Sequence, residues 1–118
     1  METIVSLDNN DTQIELKAKE YKISILGGWG VSLGDFTISF RHTTTGEKIE
    51  CKRTLMPIQS YNGGIRTKRI FSTSINSAGT YTVEFKNQQT LKVKKSNLFI
   101  KSFFEDFIPT KDIRICID

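Results

Sequence analysis

The chain has one tryptophan, and it stands in GGWGVSLG, residues 27–34, among four glycines. Glycine-rich turns can cradle phosphate on backbone N–H groups, but the Gly-Lys-Ser/Thr that such a loop requires does not follow. The Gly28-x-Gly30-x-x-x-Gly34 spacing misses the dinucleotide fingerprint by one residue and leads into a strand pattern, not a helix. Two roles remain for Trp29. It is either an exposed platform on which a sugar or peptide stacks, or an indole folded back over the end of a core. Tyr61, Asn62 and Arg66 lie in MPIQSYNGGIRTKR, residues 56–69, the longest irregular stretch. Their types suit a contact surface, because they combine rigid area with adaptable hydrogen bonding. A solvated loop is the alternative.

Catalytic chemistry has little to work with. His42 is the only histidine, so paired-histidine metal sites and histidine acid–base pairs are excluded. Cys51 would be its nucleophilic partner if their strands aligned, but no third group orients the pair. Asp8, Asn9, Asn10 and Asp11 offer oxygens for Ca²⁺, yet the glycine and distal glutamate of a calcium loop are missing, so a polar turn is expected. No catalytic residue, metal or cofactor is assigned. Arg66, Lys68 and Arg69, with Lys92, Lys94 and Lys95, make either a patch for an acidic partner or a solvated sheet face. Without neighbouring exposed aromatics they carry no single-strand nucleic-acid signature.

The elements that position these residues read as strands. Tyr21, Ile23 and Ile25 alternate with polar residues, as do Phe36, Ile38 and Phe40; Ile49 and Cys51; Tyr81, Val83 and Phe85; and Leu91 and Val93. One apolar and one polar face is the mark of antiparallel strands covering a core on one side. Two hairpins follow from the pattern. Phe40 opposite Ile49 and Ile38 opposite Cys51 leave Thr43-Thr44-Thr45-Gly46 as the loop. Phe85 opposite Leu91 and Val83 opposite Val93 set Glu84 against Lys92 and leave Asn87-Gln88-Gln89 near the turn. Beyond residue 96, Ile100, Phe103, Phe104, Phe107 and Ile108 share one helical face, with Ser102 and Glu105 at capping-box spacing and Pro109 after the end. Phe103, Phe104 and Phe107 are expected to cover a sheet edge. Ile113, Ile115 and Ile117 then alternate as a final strand.

INSAGTYTVEF, residues 75–85, resembles the corner before the sixth strand of immunoglobulin-like domains, whose pattern is Asp-x-Gly-x-Tyr-x-Cys. Gly79 and Tyr81 match, Ser77 stands where Asp is usual, and Val83 stands where the cysteine would be. A buried tyrosine there can send its hydroxyl to nearby backbone and lock the corner. The intersheet disulfide is missing, and Phe36, Ile38 and Phe40 occupy the third strand in place of tryptophan, so the resemblance is to a bacterial-type module. It implies an all-β chain with an antiparallel immunoglobulin-like β-sandwich over residues 12–95; the short C-terminal helix and final strand, read from the pattern alone, form an extension over 96–118. It also implies that the loops at 27–34, 55–66 and 87–89 gather at one end, and those at 43–46 and 76–79 at the other. Trp29, Tyr61, Asn62, Arg66, Gln88 and Gln89 thereby become the candidate binding residues.

Bulk properties set the partner class. At 118 residues, 37% hydrophobic and 25% charged, the chain can bury a single core without staples. No apolar run approaches the roughly 20 residues of a membrane span. A net charge of +4 suits acidic partners but is not the concentrated charge of a nucleic-acid binder. The start, METIVSLDNND, lacks a secretory signal, and two isolated cysteines fit a reducing compartment. The expectation is therefore cytoplasmic, with export after removal of a signal, and a Cys51–Cys116 bridge, as the alternatives. The leading functional expectation is a non-catalytic module that binds a protein partner. A carbohydrate-binding module using Trp29 and Tyr61 is the first alternative. A structural subunit that forms homo-oligomers through the 113–117 edge strand is the second.

Overall fold

The structure, a computed structural model, describes residues 3–8, 11–54, 58–62, 64–94 and 107–118. Among these residues twelve strands follow in chain order: β1 (Thr3–Ser6), β2 (Thr12–Leu16), β3 (Glu20–Leu26), β4 (Gly30–Ser32), β5 (Thr37–His42), β6 (Lys48–Glu50), β7 (Lys52–Arg53), β8 (Gln59–Asn62), β9 (Ile65–Ser74), β10 (Gly79–Lys86), β11 (Lys92–Lys94) and β12 (Arg114–Ile117). One antiparallel sheet has the order β1-β12-β3-β9-β7, with β8 also paired to β9. A second has the order β2-β10-β5-β6, and β4 pairs with β11 as a separate ribbon.

The alternation seen in the sequence becomes one core shared by both sheets. Ile23 and Ile25 of β3, Phe71 of β9, Phe40 of β5 and Val83 of β10 are all buried within it. Phe36, just ahead of β5, joins the layers: its ring lies 6.0 Å from Phe71 and 5.9 Å from Phe85. Val5, Leu7, Ile113, Ile115 and Ile117 belong to the same core, which therefore reaches beyond residues 12–95 at both termini.

The β5–β6 hairpin has the expected register. Phe40 faces Ile49, and Cys51 N–H donates to the Ile38 carbonyl at 3.0 Å. The other expected hairpin does not form. Phe85 faces Ile38 and Val83 faces Phe40, while β2 takes the far edge of β10 and Tyr81 meets Ile14 there. Glu84 consequently pairs with Arg41 at 3.2 Å, and Lys92 lies opposite Ser32. Alternation sets which side chains face inward, but any strand of matching parity satisfies it. The chain turns away at Asn87, which takes φ 58° ahead of a 3-10 turn at Gln88–Thr90. The β4–β11 ribbon nonetheless continues the β5–β10 ladder. Between the pairs Thr37↔Lys86 and Ser32↔Lys92, residues 33–36 run opposite residues 87–91, so the turn absorbs one extra residue.

The final strand forms but is not an edge. β12 lies between β1 and β3, with Ile115 opposite both Val5 and Ile25, so both of its backbone edges are already paired. Assembly through the 113–117 strand is thereby closed off. The expected C-terminal helix falls largely on residues 95–106, outside the described residues, as do Phe103 and Phe104. Phe107–Pro109 are not helical and lead into a 3-10 turn at Thr110–Asp112. No disulfide joins Cys51 to Cys116.

At the corner between β9 and β10, the Tyr81 hydroxyl donates to the Ser77 carbonyl at 2.7 Å. Burial, and secondarily the charge of Glu47, raise this hydroxyl's pKa above its ordinary value.

Candidate functional site

Trp29 is placed by backbone geometry. β3 ends at Leu26, and Gly27 extends its ladder by donating its N–H to the Arg66 carbonyl at 2.7 Å. At Gly28 the chain passes so close to β11 that a Cβ would land on the Lys94 carbonyl oxygen. Only glycine permits that crossing, and it delivers Trp29 to the end of the β8–β9 hairpin. The partly buried indole meets the Tyr61 ring edge-on, 5.0 Å between centroids at 67°. The Arg66 guanidinium rides 4.9 Å from the indole centroid, and Lys68 Nζ donates to the Trp29 carbonyl at 2.9 Å. Tyr61 itself is 60% exposed.

A β-bulge explains why cations gather there. Ile23 pairs with Phe71, but the next residue, Ser24, pairs with Arg69, leaving Ile70 as an extra residue in β9. One additional residue reverses the parity of everything beyond it. Lys68 is then opposite the fully buried Ile25, on the core side of the sheet, and Arg66 shares that side two residues on. Tyr61 and Gln59 face Arg66 and Lys68 across the hairpin and lie on the same side. The inner face of this sheet, apolar over the core, turns aromatic and cationic where it runs past the core.

Three expected site residues, Trp29, Tyr61 and Arg66, are thus brought into contact, and Asn62 ends the strand that carries Tyr61. Gln88 and Gln89 are not part of this cluster. They lie in the 3-10 turn, where Asn87 Nδ2 donates to the Asp35 carbonyl at 3.1 Å and Asp35 N–H to Thr90 Oγ1 at 3.0 Å. That turn stands beyond the Ser32↔Lys92 end of the ribbon, whereas Trp29 adjoins the Gly30↔Lys94 end. The glycine-rich stretch is not one loop: its middle residues are β4, which separates its two ends.

Lys68 and Lys94 matter more than their sequence reading suggested. Lys94 lies opposite Gly30, beside Trp29, and its ammonium sits 4.7 Å from the Phe107 ring centroid; that of Lys92 is 5.9 Å away. Phe107 is 55% exposed, so exposed aromatics do accompany the basic residues. The available signal for Lys68 was its two-residue spacing from Arg66 on a strand.

The other candidates have structural employment. Cys51 lies alongside Ile38, while His42 is at the far end of β5, so the two do not pair. Burial pushes the Cys51 thiol up to about 12, the reverse of an activated nucleophile. His42 Nδ1 accepts the N–H groups of Thr44 at 3.1 Å and Thr45 at 3.3 Å, holding its own loop. Asn9 and Asn10 lie outside the described residues, and among those described no three His, Cys, Asp or Glu side chains group as metal ligands. A polar cleft of about 370 Å³ between Glu20, Glu50, Lys52 and Ser74 opens at the end of β3 away from Trp29.

Among the described residues, no helix is long and apolar enough to cross a membrane. Compared with protein-family models, with curated proteins and with solved structures, the chain matches none.

Proposed function

We propose that the chain is a non-catalytic interaction module that holds a protein partner at the end bearing Trp29, Tyr61 and Arg66, on an immunoglobulin-like β-sandwich. The observation that carries this reading is Tyr61: 60% exposed, yet braced edge-on by Trp29 beside a guanidinium. A large aromatic held out in one orientation loses little freedom on binding, as recognition anchors require.

The strand order supports the scaffold assignment. Immunoglobulin-like domains set strands A, B, E and D in one sheet and C, F and G in the other. With β3, β5, β9 and β10 as B, C, E and F, the pairs β3–β9 and β5–β10 fall in place, and Tyr81 sits at the corresponding corner. The outer strands are exchanged: β12 occupies the place of A, and β2 that of G. Two cysteines that do not bridge to each other favour a reducing, cytoplasmic setting. The carbohydrate alternative is weakened by Arg66, which occupies the indole that a sugar would stack on.

The test is a photo-crosslinking residue at position 61 or, as control, at position 44, expressed in the source cells. The expected result is a discrete protein adduct from position 61 only, weakened by Arg66→Ala. No adduct at 61, or the same adducts at both positions, overturns the reading. Binding on a glycan array that is lost in Trp29→Ala would transfer the site to the carbohydrate alternative.

A further inference from the structure

We infer that the outer edge of β8 accepts an extended strand from a partner protein, one that places acidic side chains toward Arg66 and Lys68 and apolar side chains toward Ile58 and Ile65. This rests on the interaction-module reading and specifies how the partner is held.

The backbone shows which groups the edge presents. Arg69 N–H donates to the Ile58 carbonyl at 2.9 Å, which makes Ile58–Arg69 a hydrogen-bonded pair of the ladder. Such pairs alternate along an antiparallel ladder. With Gln59 opposite Lys68 and Tyr61 opposite Arg66, the bonded pairs fall at Ser60–Thr67 and Asn62–Ile65. Gln59 and Tyr61 therefore direct their N–H and C=O groups away from β9. The Arg66 carbonyl agrees, since it accepts from Gly27 on the β3 side. Among the described residues, β8 pairs only with β9.

An open edge is a template for strand addition unless it is blunted. The residues of β8 carry no charge and no proline, and large side chains stand exposed on both faces of the β8–β9 ladder: Tyr61 at 60% on one, Ile58, just before β8, at 48% and Ile65 of β9 at 50% on the other. An added strand would run about 4.8 Å from β8, within reach of long side chains on β9. Its alternate residues would face opposite ways. One set would meet Tyr61, Arg66 and Lys68, and the other Ile58 and Ile65.

Charge decides the occupant. Pairing of β8 with a second copy would bring two sets of Arg66 and Lys68 onto one face of a shared sheet, between molecules each carrying +4. Like charges so placed repel, and carboxylates on a different partner attract.

The test uses the full chain, ¹⁵N-labelled, with the blocked peptide (Glu-Val)₄ as probe and (Lys-Val)₄ as control. Amide shifts should concentrate at Gln59, Tyr61 and Ile65, and the glutamate peptide should bind at least about tenfold more tightly, the equivalent of one charge-assisted contact. Gln59→Pro removes an outward N–H while sparing the β9 ladder, and should weaken binding about tenfold. Should that variant not fold, N-methylation of alternate peptide amides tests the same bonds from the partner's side. Overturning results are no shift at 59 or 61 at millimolar peptide, equal binding of both peptides, or indifference to both blocks. Tighter binding of a thymidine octanucleotide at the same amides would also overturn it, in favour of nucleic acid. A protein adduct at position 61 without peptide binding would reject strand addition and leave the interaction module standing.

Discussion

Each end of the molecule holds a tyrosine edge-on against another ring, with nearly the same geometry. Tyr81 and His42 meet at 4.9 Å and 76°, Tyr61 and Trp29 at 5.0 Å and 67°. The surroundings differ. Tyr81 is 1% exposed and Tyr61 is 60% exposed. Tyr81 spends its hydroxyl on the Ser77 carbonyl, and His42 spends Nδ1 on two amides of its own loop. At the Trp29 end, Arg66 and Lys68 approach the indole and its carbonyl from a strand that overruns the core. An aromatic pair thus says little about role. Burial and the fate of its polar atoms make one pair a fastener and leave the other presented to solvent.

The largest effect should come from the residue on which both ends depend. Phe36→Ala empties a site between the two sheets and should cost about 3–5 kcal/mol in urea unfolding. Loss of structure at one end alone, read by amide exchange, would break the picture of a shared core.

Next come the two glycines that allow the close approaches. A Cβ at Gly28 meets Lys94 backbone, whereas a Cβ at Gly79 would sit 2.7 Å from Nε2 of the His42 ring, which can tilt. Gly28→Ala should cost about 1–3 kcal/mol, and Gly79→Ala less. The reverse order in thermal melts would mean that the corner is the stiffer end.

A smaller effect sharpens the contrast between the tyrosines. Tyr81→Phe removes one hydrogen bond and should cost about 1 kcal/mol; Tyr61→Phe should cost nothing measurable. Alkaline pH acts on the same side. Tyr81 and Cys51 both have raised folded-state pKa values, so in the unfolded chain they ionise at lower pH than in the fold. Stability is therefore fully present below about pH 9 and falls as the pH rises from the ordinary cysteine pKa of 9.0 toward the folded value of about 12. A urea midpoint that rises from pH 8 to pH 11 would contradict this.

Face assignments were legible in the sequence wherever strict alternation reports a wet and a dry side, as in β3, β5 and β10. So was the corner, because Tyr81 bonds to Ser77, only four residues away in the chain. Partner choice was not legible. β10 takes β2 and β5 in place of β11, and no residue type in Tyr81–Phe85 distinguishes these partners. The burial of β12 was hidden likewise, since alternating Ile113, Ile115 and Ile117 fit an edge as well as a centre. Within the site, residue types pointed to Trp29, Tyr61 and Arg66. Lys68 was obscured by the bulge at Ile70, a backbone event that alternation alone does not locate, and Gln88 and Gln89 were drawn in by a hairpin that does not form.

The smallest expected change in stability carries the most information about the exposed pair. Tyr61→Ala removes a side chain that is mostly in water, so unfolding should shift by under about 0.5 kcal/mol. The indole, however, loses the ring that covers one of its edges. Emission from the single tryptophan should move to the red, and acrylamide should quench it more readily, while Tyr81→Phe leaves both unchanged. A large loss of stability would make Tyr61 a second fastener, equivalent to Tyr81, and would remove the distinction between the two ends. A change confined to the spectrum would mean that Trp29 is shaped by a neighbour the fold does not need, as expected of a surface kept for a partner.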